Sequence, residues 1–564
     1  MRPLSVVILT LGLLLSDANA QPSSPKSKKA AKAEKVSKEK EGVSDPDWLR
    51  ERLEKIRVQF DLPDLGAVLV QNGRVVAASA VGVRKYGTNL KVKQADPFHL
   101  GSITKVMTAS LVGIMVDDGV LGWDTTMEEM FPELVPAMQP GYRKVTVLQL
   151  LSHTGGFPYG PSKPIEQITA NGRNSVERRY GYVKAAIADP LAYEPGMGEA
   201  YSGGGVVVMS YIERKVGKTY EELMQERLFK PLGMTAGLGD HMASEGKVDA
   251  PWGHRQENGK TVPREPDHHS PANGREPVGG AYVSMPDFGK FLAFHLKGAH
   301  GQGELLKPET FKRLQTSAPG TGFAPGWIVG NPGEAQGPAF MHSGSIGIHV
   351  ANCWVVPDED YAVGAGTNAA GEPRADQALD AVMKFLIIKT HRSPTDSSKD
   401  DKEAKSANRK AAPQRPDVWL DSLTPVEATV GFGNFEVGAR DGGKPLSLNG
   451  DRFQHGLGVH AKSVVTYQLK PEFKRFVGRA GPDDCASWRS SVVAQVYLDD
   501  VMVDSSPLLR AGDAPWSFDV PIPAKLPNGN IPTSLRLVIT DGDDGINSDS
   551  ADWADAGFVV KKKK

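Results

Sequence analysis

The 564-residue sequence predicts two folded regions of different class, a mixed α/β region followed by an all-β one. Three observations carry this. Two stretches rich in Lys, Ser, Ala, Pro and acidic residues with almost nothing apolar, 21–46 and 392–416, read as disordered linkers that bound the first region. Between them, apolar runs alternate between helical and strand spacing. Beyond the second, short β-rich runs recur between Gly- and Asp-rich turns, the pattern of a sandwich.

Met1–Ala20 combines a charged start at Arg2, an apolar core from Val6 to Leu15 and an Ala18-Asn19-Ala20 cleavage site, so it reads as a secretory signal. The core is too short to span a bilayer, and no other run is long and apolar enough to do so. No cysteine follows the cleavage site to take a lipid. The expected location is secreted or periplasmic. Lys and Arg number 66 against 67 Asp and Glu, so no global field favours nucleic acid. Cys353 and Cys485 fall in different regions, so no bridge between them is expected, and no Cys/His cluster has zinc spacing.

In the first region, 47–391, Trp48–Phe60 presents a helical apolar face. Asn72-Gly73 between the apolar runs 65–71 and 74–83 signals a hairpin. Residues 206–216, 221–229 and 286–296 read as helices, and 236–278, rich in Gly, Pro, His and Asp, as a long loop. Runs at 326–329, 339–342, 348–356 and 361–367 read as successive short strands, with a last helix, 375–390, packed on their sheet. In the second region, 417–560, strands are expected at 446–450, 464–469, 475–477, 492–498 and 534–540, and 561–564 is a solvated tail.

The chemistry centres on Pro97–Thr108. Ser102 opens an apolar helix after an apolar lead-in, and Ile103, Val106, Met107, Leu111, Ile114 and Met115 recur at three- and four-residue spacing. Lys105 lies one turn from Ser102 on the same face. A serine hydroxyl needs a base to become a nucleophile, and burial beside a helix N-terminus disfavours a lysine's charged form. Ser-x-x-Lys occurs four times, at Ser23, Ser37, Ser102 and Ser244, but only Ser102 begins such a helix. A Gly-x-Ser-x-Gly elbow is absent.

Further motifs follow in order: Leu150–Gly156, Glu194-Pro195-Gly196 before Tyr201, Pro231–Met234, Gly279-Gly280 and His342-Ser343-Gly344. With Ser102–Lys105 they resemble the class C β-lactamase-like and penicillin-binding-protein-like serine hydrolases, over about Trp48 to Thr390. The resemblance implies an antiparallel sheet flanked by helices, a helical insert and a site between them. It implies Ser102 as the acylated nucleophile, Lys105 and Tyr201 sharing proton transfer, and His342, Gly344 and Ser345 on the strand edging the site. The N–H groups of Ser102 and Ser345 would form the oxyanion hole, and no cofactor is required. His153 is expected to brace a turn rather than to do chemistry.

Two departures shape the expected activity. Tyr201-Ser202-Gly203 lacks the asparagine of the family's Tyr-x-Asn, and His342 replaces the lysine of Lys-Thr-Gly, so a permanent charge for a substrate carboxylate is lost. These favour an esterase, amidase or aminopeptidase over a β-lactamase or D-Ala-D-Ala carboxypeptidase, with a small-molecule, ester or peptide substrate. A catalytically inactive polysaccharide-binding protein is the alternative of another class.

In the second region Asp421–Leu423, Gly456–Ala461, Val496-Tyr497 and Asp552–Ala556 resemble the NPCBM modules. That implies a galactose-binding-like jelly roll and a polysaccharide partner for 417–560. Trp553 is expected in its core. Asp541, Asp543 and Asp549 sit in an acid-dense stretch that could hold a structural calcium ion or be a solvated turn.

Overall fold

The computed structural model describes residues 43–157, 162–164, 167–168, 172–267, 274–332, 335–391, 413–440, 443–527, 529–542 and 549–560. The expected signal, nearly all of both linkers and the 561–564 tail lie outside the described residues. Ser44–Lys564 forms one compact unit.

Helix α1 (Asp47–Gln59) buries Leu49, Leu53 and Ile56 on one face. Strands β1 (Asp64–Gln71) and β2 (Arg74–Gly82) pair antiparallel. Asn72 and Gly73 join them with φ of 50° and 64°, the left-handed pair that a two-residue hairpin turn requires. Helix α2 (Thr104–Asp117) is buried on nearly every side. It ends at Gly119, φ 76°, where the Val120 N–H reaches back to the Met115 carbonyl at 2.9 Å. Helices α3 (Gly204–Val216) and α4 (Met285–Ala299) follow, then β3 (Ile328–Gly330), β4 (Ala339–Ser345), β5 (Val350–Val356), β6 (Tyr361–Thr367) and α5 (Pro373–His391).

The six strands make one antiparallel sheet in the order β2-β1-β6-β5-β4-β3. Its residues alternate between two apolar layers. Leu65, Ala67, Leu69, Val363 and Ala365 face α1 and α5 in one core with Leu53, Ile56, Leu379, Val382 and Leu386. Residues of the other parity face α4: a Cβ on Gly289 would press on Val68, and one on Gly364 on Phe288.

The expected loop over 236–278 contains three strands, Ala236–Leu238, Gly253–Glu257 and Lys260–Arg264. The last two form a hairpin around Asn258-Gly259, both left-handed at 51° and 73°. The strand signal there is masked because the inward side chains are polar: His254, Gln256 and Thr261 are buried.

The second region is an antiparallel sandwich. One sheet carries β7 (Gly456–His460), β9 (Phe473–Pro482), β11 (Trp516–Pro521) and β13 (Ser550–Val560); the other carries β8 (Ser463–Gln468), β10 (Ser491–Leu498) and β12 (Ser534–Thr540). The two inner faces share a core that includes Trp553, fully buried, with Phe476, Phe518, Phe558 and Leu537. β7, β11 and β13 were not expected as strands from the sequence; Asp552 and Asp555 break the apolar alternation of β13. No helix among the described residues is long and apolar enough to cross a membrane.

Candidate active site

A 3₁₀ turn, Gly101–Ile103, runs directly into α2 and places Ser102 at its start. Two glycines bring this turn against the end of β4. Gly101 has φ 49°, and a Cβ on it would lie 2.5 Å from the Ser345 nitrogen. A Cβ on Gly344 would lie 2.5 Å from the Ser102 nitrogen and overlap the Leu100 carbonyl oxygen. Only bare backbone allows this approach, which brings the Ser102 and Ser345 amides to one locus. The turn is pinned from behind. Thr104 Oγ1 donates to the Gly101 carbonyl at 2.6 Å and accepts from the Ala281 N–H at 2.9 Å. The Gly101 N–H donates to His99 Nδ1 at 3.0 Å, and His99 Nε2 donates to the Gly239 carbonyl at 2.9 Å. That pair of contacts fixes the tautomer, and burial holds His99 down at about 4, hence neutral.

Lys105 Nζ lies 3.1 Å from Ser102 Oγ and 2.9 Å from the Val278 carbonyl oxygen. The side chain is 9% exposed. Burial, with a smaller push from the positive charge of Arg275, lowers its pKa to about 7. Unprotonated, the amine can take the Ser102 proton across that 3.1 Å; protonated, it donates to the same oxygen.

Nζ stands 4.4 Å from the centre of the Tyr201 ring. Tyr201 is braced by His153, whose ring centre is 4.7 Å away. His153 is left-handed at φ 60°; its Nδ1 accepts from the Ser202 N–H at 3.1 Å and its carbonyl from the Ala200 N–H at 2.9 Å. Burial and the Lys105 charge push its pKa down to about 3, so it serves as a neutral acceptor. At Gly203, the residue in place of the family's asparagine, a Cβ would overlap the Tyr182 hydroxyl. Tyr182 fills the space an amide side chain would need.

His342 is buried on β4, with Nδ1 2.5 Å from the Ser343 carbonyl oxygen and its ring 6.2 Å from that of Tyr201. Burial, then the Lys105 charge, lowers its pKa to about 4. It is neutral and carries its proton on Nδ1, since the carbonyl can only accept.

Ser102, Lys105, Tyr201 and Ser345 line one cleft of about 410 Å³; His342 is not part of that lining. Arg275 and Asp240 line it too, and neither was singled out from the sequence, because both lie in the segment read as loop. The Gly279-Gly280 motif was the available signal: the short helix Glu276–Gly279 just before it supplies the carbonyl that holds Lys105. That helix is anchored by Arg179, fully buried, which bonds Glu276 at 2.8 Å, Glu213 at 2.6 Å and Glu221 at 3.0 Å. Of the calcium candidates, Asp543 lies outside the described residues and Asp541 pairs with Lys462 at 3.3 Å. Among the described residues no group of three or more His, Cys, Asp or Glu could hold a metal ion.

Comparison with known proteins gives the family and the fold. Residues 49–386 match the beta-lactamase family model and 416–559 match the NPCBM/NEW2 domain. Penicillin-binding protein 4 of Amycolatopsis lactamdurans is 24% identical over 332 residues, 57% of this chain and 84% of that protein. Lovastatin esterase of Penicillium rubens is 31% identical over 179 residues, 29% of this chain and 45% of that protein. The octameric penicillin-binding protein homologue from Pyrococcus abyssi aligns with a TM-score of 0.50 at 20% identity, over 76% of this chain and 92% of that one, a likeness of fold. The chain belongs to the beta-lactamase family of serine hydrolases.

Proposed function

We propose that this protein is exported and cleaves an ester or amide bond through an acyl-enzyme on Ser102, with the β-sandwich binding glycan. The observation that carries the reading is the buried Lys105 amine, 3.1 Å from Ser102 Oγ with a pKa near 7. Ser102 Oγ attacks the carbonyl while its proton passes to the unprotonated Lys105 amine, with Tyr201 lining the same cleft. The Ser102 and Ser345 amides hold the oxyanion, a pair in which each donor is worth about 3–4 kcal/mol. The leaving group takes the proton, and water activated by the same groups releases the acid. Neutral His342 supplies no charge for a carboxylate, which favours uncharged esters and amides. A carboxylate-bearing peptide or β-lactam is the second reading, favoured by Arg275 in the cleft wall.

Hydrolysis of p-nitrophenyl butyrate, D-alanine p-nitroanilide and benzylpenicillin by wild type and Ser102→Ala tests the reading. Loss of at least 10³-fold in the variant, with one fluorophosphonate adduct on wild type and none on the variant, is expected; equal rates sink it. Export is checked by the N-terminal residue of the mature protein, expected to be Gln21 after cleavage at Ala20.

A further inference from the structure

We propose that a groove at the edge of the β-sandwich, where Trp419, Arg479 and Asp555 converge, binds a sugar that carries a carboxylate. This rests on the reading that the sandwich binds glycan, and adds a place and a ligand class. The groove has a volume of about 520 Å³ and lies outside the catalytic cleft.

Its floor is an aromatic shelf. The half-buried Trp419 ring lies parallel to that of His455, centres 4.2 Å apart and planes 9° apart. His455 is held in turn by Asp421, Nδ1 to Oδ2 at 2.8 Å. The Arg415 guanidinium lies 5.5 Å over the Trp419 ring, so the shelf sets an aromatic ring beside a cation, a pairing that suits a pyranose bearing a carboxylate.

Its wall is a built irregularity. On β9, Val477 pairs with Gly557 and Arg479 with Ala554, so Asp555 and Ala556 of β13 both oppose Gly478. This bulge holds Asp555 left-handed at φ 47°, a conformation costly for a residue with a side chain. It is secured by the Asp555 N–H donating to the His455 carbonyl at 2.9 Å. Bulges re-aim side chains beside binding sites. Here the bulge puts an acid on the groove wall that Arg479, half-buried, also lines. Neither has an ion-pair partner among the described residues; the Arg479 guanidinium rests 5.6 Å over the Phe453 ring. A half-buried guanidinium and a half-buried carboxylate without an ion-pair partner among the described residues are what a hydroxyl- and carboxylate-bearing ligand would satisfy.

The charge balance selects the acidic class. Arg415, Arg452 and Arg479 line the groove against two carboxylates, and one of these, Asp451, is tied to Lys55 at 3.3 Å. The guanidiniums grip the sugar carboxylate in forked pairs, and Asp555 accepts from ring hydroxyls.

The full-length protein is titrated calorimetrically with tetragalacturonate, with its methyl-esterified form and with a panel of neutral oligosaccharides. Tetragalacturonate is expected to bind at least 10-fold tighter than the ester. Arg479→Gln and Trp419→Ala are expected to weaken it at least 10-fold, and Trp419→Phe, which keeps the shelf, to stay within 3-fold of wild type. Unchanged p-nitrophenyl butyrate hydrolysis and melting temperature confirm that each variant is folded. Equal affinity for acid and ester, no binding of tetragalacturonate, or binding untouched by either substitution overturns the proposal. In those cases, capture of a neutral glycan by wild type leaves the glycan reading of the sandwich standing; a blank panel removes both.

Discussion

Lys105 carries two opposed properties in one side chain. Its pKa of about 7 makes it a base near neutrality, and the same burial makes its charge expensive. An unperturbed lysine titrates near 10.4. Between that value and 7 the unfolded chain binds more protons than the folded one, so this group's contribution rises with pH across that window. Below pH 7 both states are charged and the full penalty, on the order of 5 kcal/mol, is present. Activity should therefore show a rising limb in kcat/KM with a midpoint near pH 7, absent in Lys105→Arg, which should be slower by roughly 10²–10⁴. Lys105→Met should lose activity and melt several degrees higher than wild type at pH 7. A lower melting temperature would show that the hydrogen bond to Val278 outweighs desolvation. His99, His153 and His342, all held well below neutrality by burial, add no step to that profile above pH 5.

At the scale of elements, the site is a contact between the start of α2 and the end of β4 made possible by Gly101 and Gly344. Adding a methyl at position 344 would push into the Leu100 carbonyl and the Ser102 amide, both backbone and neither able to swing aside. Gly344→Ala should leave the fold intact while lowering kcat by about 10²-fold or more with little change in KM, since the proposed oxyanion donors would lose their alignment. Steady-state kinetics and fluorophosphonate labelling rates check this; wild-type kcat in a folded variant would place the oxyanion elsewhere. The His342-Ser343-Gly344 motif marks this strand, but not why residue 344 is glycine. The closeness of Gly101 and Gly344, far apart in sequence, is a property of the packed sheet.

At the scale of the molecule, the sandwich meets the catalytic region on its α1/α5 side, across the sheet from α4. Arg52 of α1 reaches Asp484 at 3.4 Å, Lys55 reaches Asp451 at 3.3 Å, and Trp488 stacks on His391 of α5 at 3.9 Å and 11°. Arg52 is 91% covered and packs over Phe385, 5.2 Å from its ring, so it joins both sides. A contact of this kind should couple unfolding. Scanning calorimetry is expected to give one transition for wild type and two for Arg52→Ala with Trp488→Ala; two transitions already in wild type would mean the regions are independent. None of these residues carried a sequence signal, since an interface between two regions is written in shape and not in periodicity.

The two classes of fold, the α1–hairpin–α2 order and the Ser102–Lys105 pair are legible in the residues alone. Each is a local pattern: a spacing, a turn dipeptide or a motif set by chemistry within a few residues. The hairpin at Asn258-Gly259 was equally local, yet was obscured because its buried positions are polar. Packing of distant segments sets the rest: that Lys105 is dry enough to take a proton near neutrality, that Tyr182 fills the space opposite Gly203, that Arg275 and Asp240 enter the cleft, and that Asp555 stands left-handed beside Arg479. Those facts depend on which distant segments exclude water from a side chain, and desolvation is fixed by packing in three dimensions.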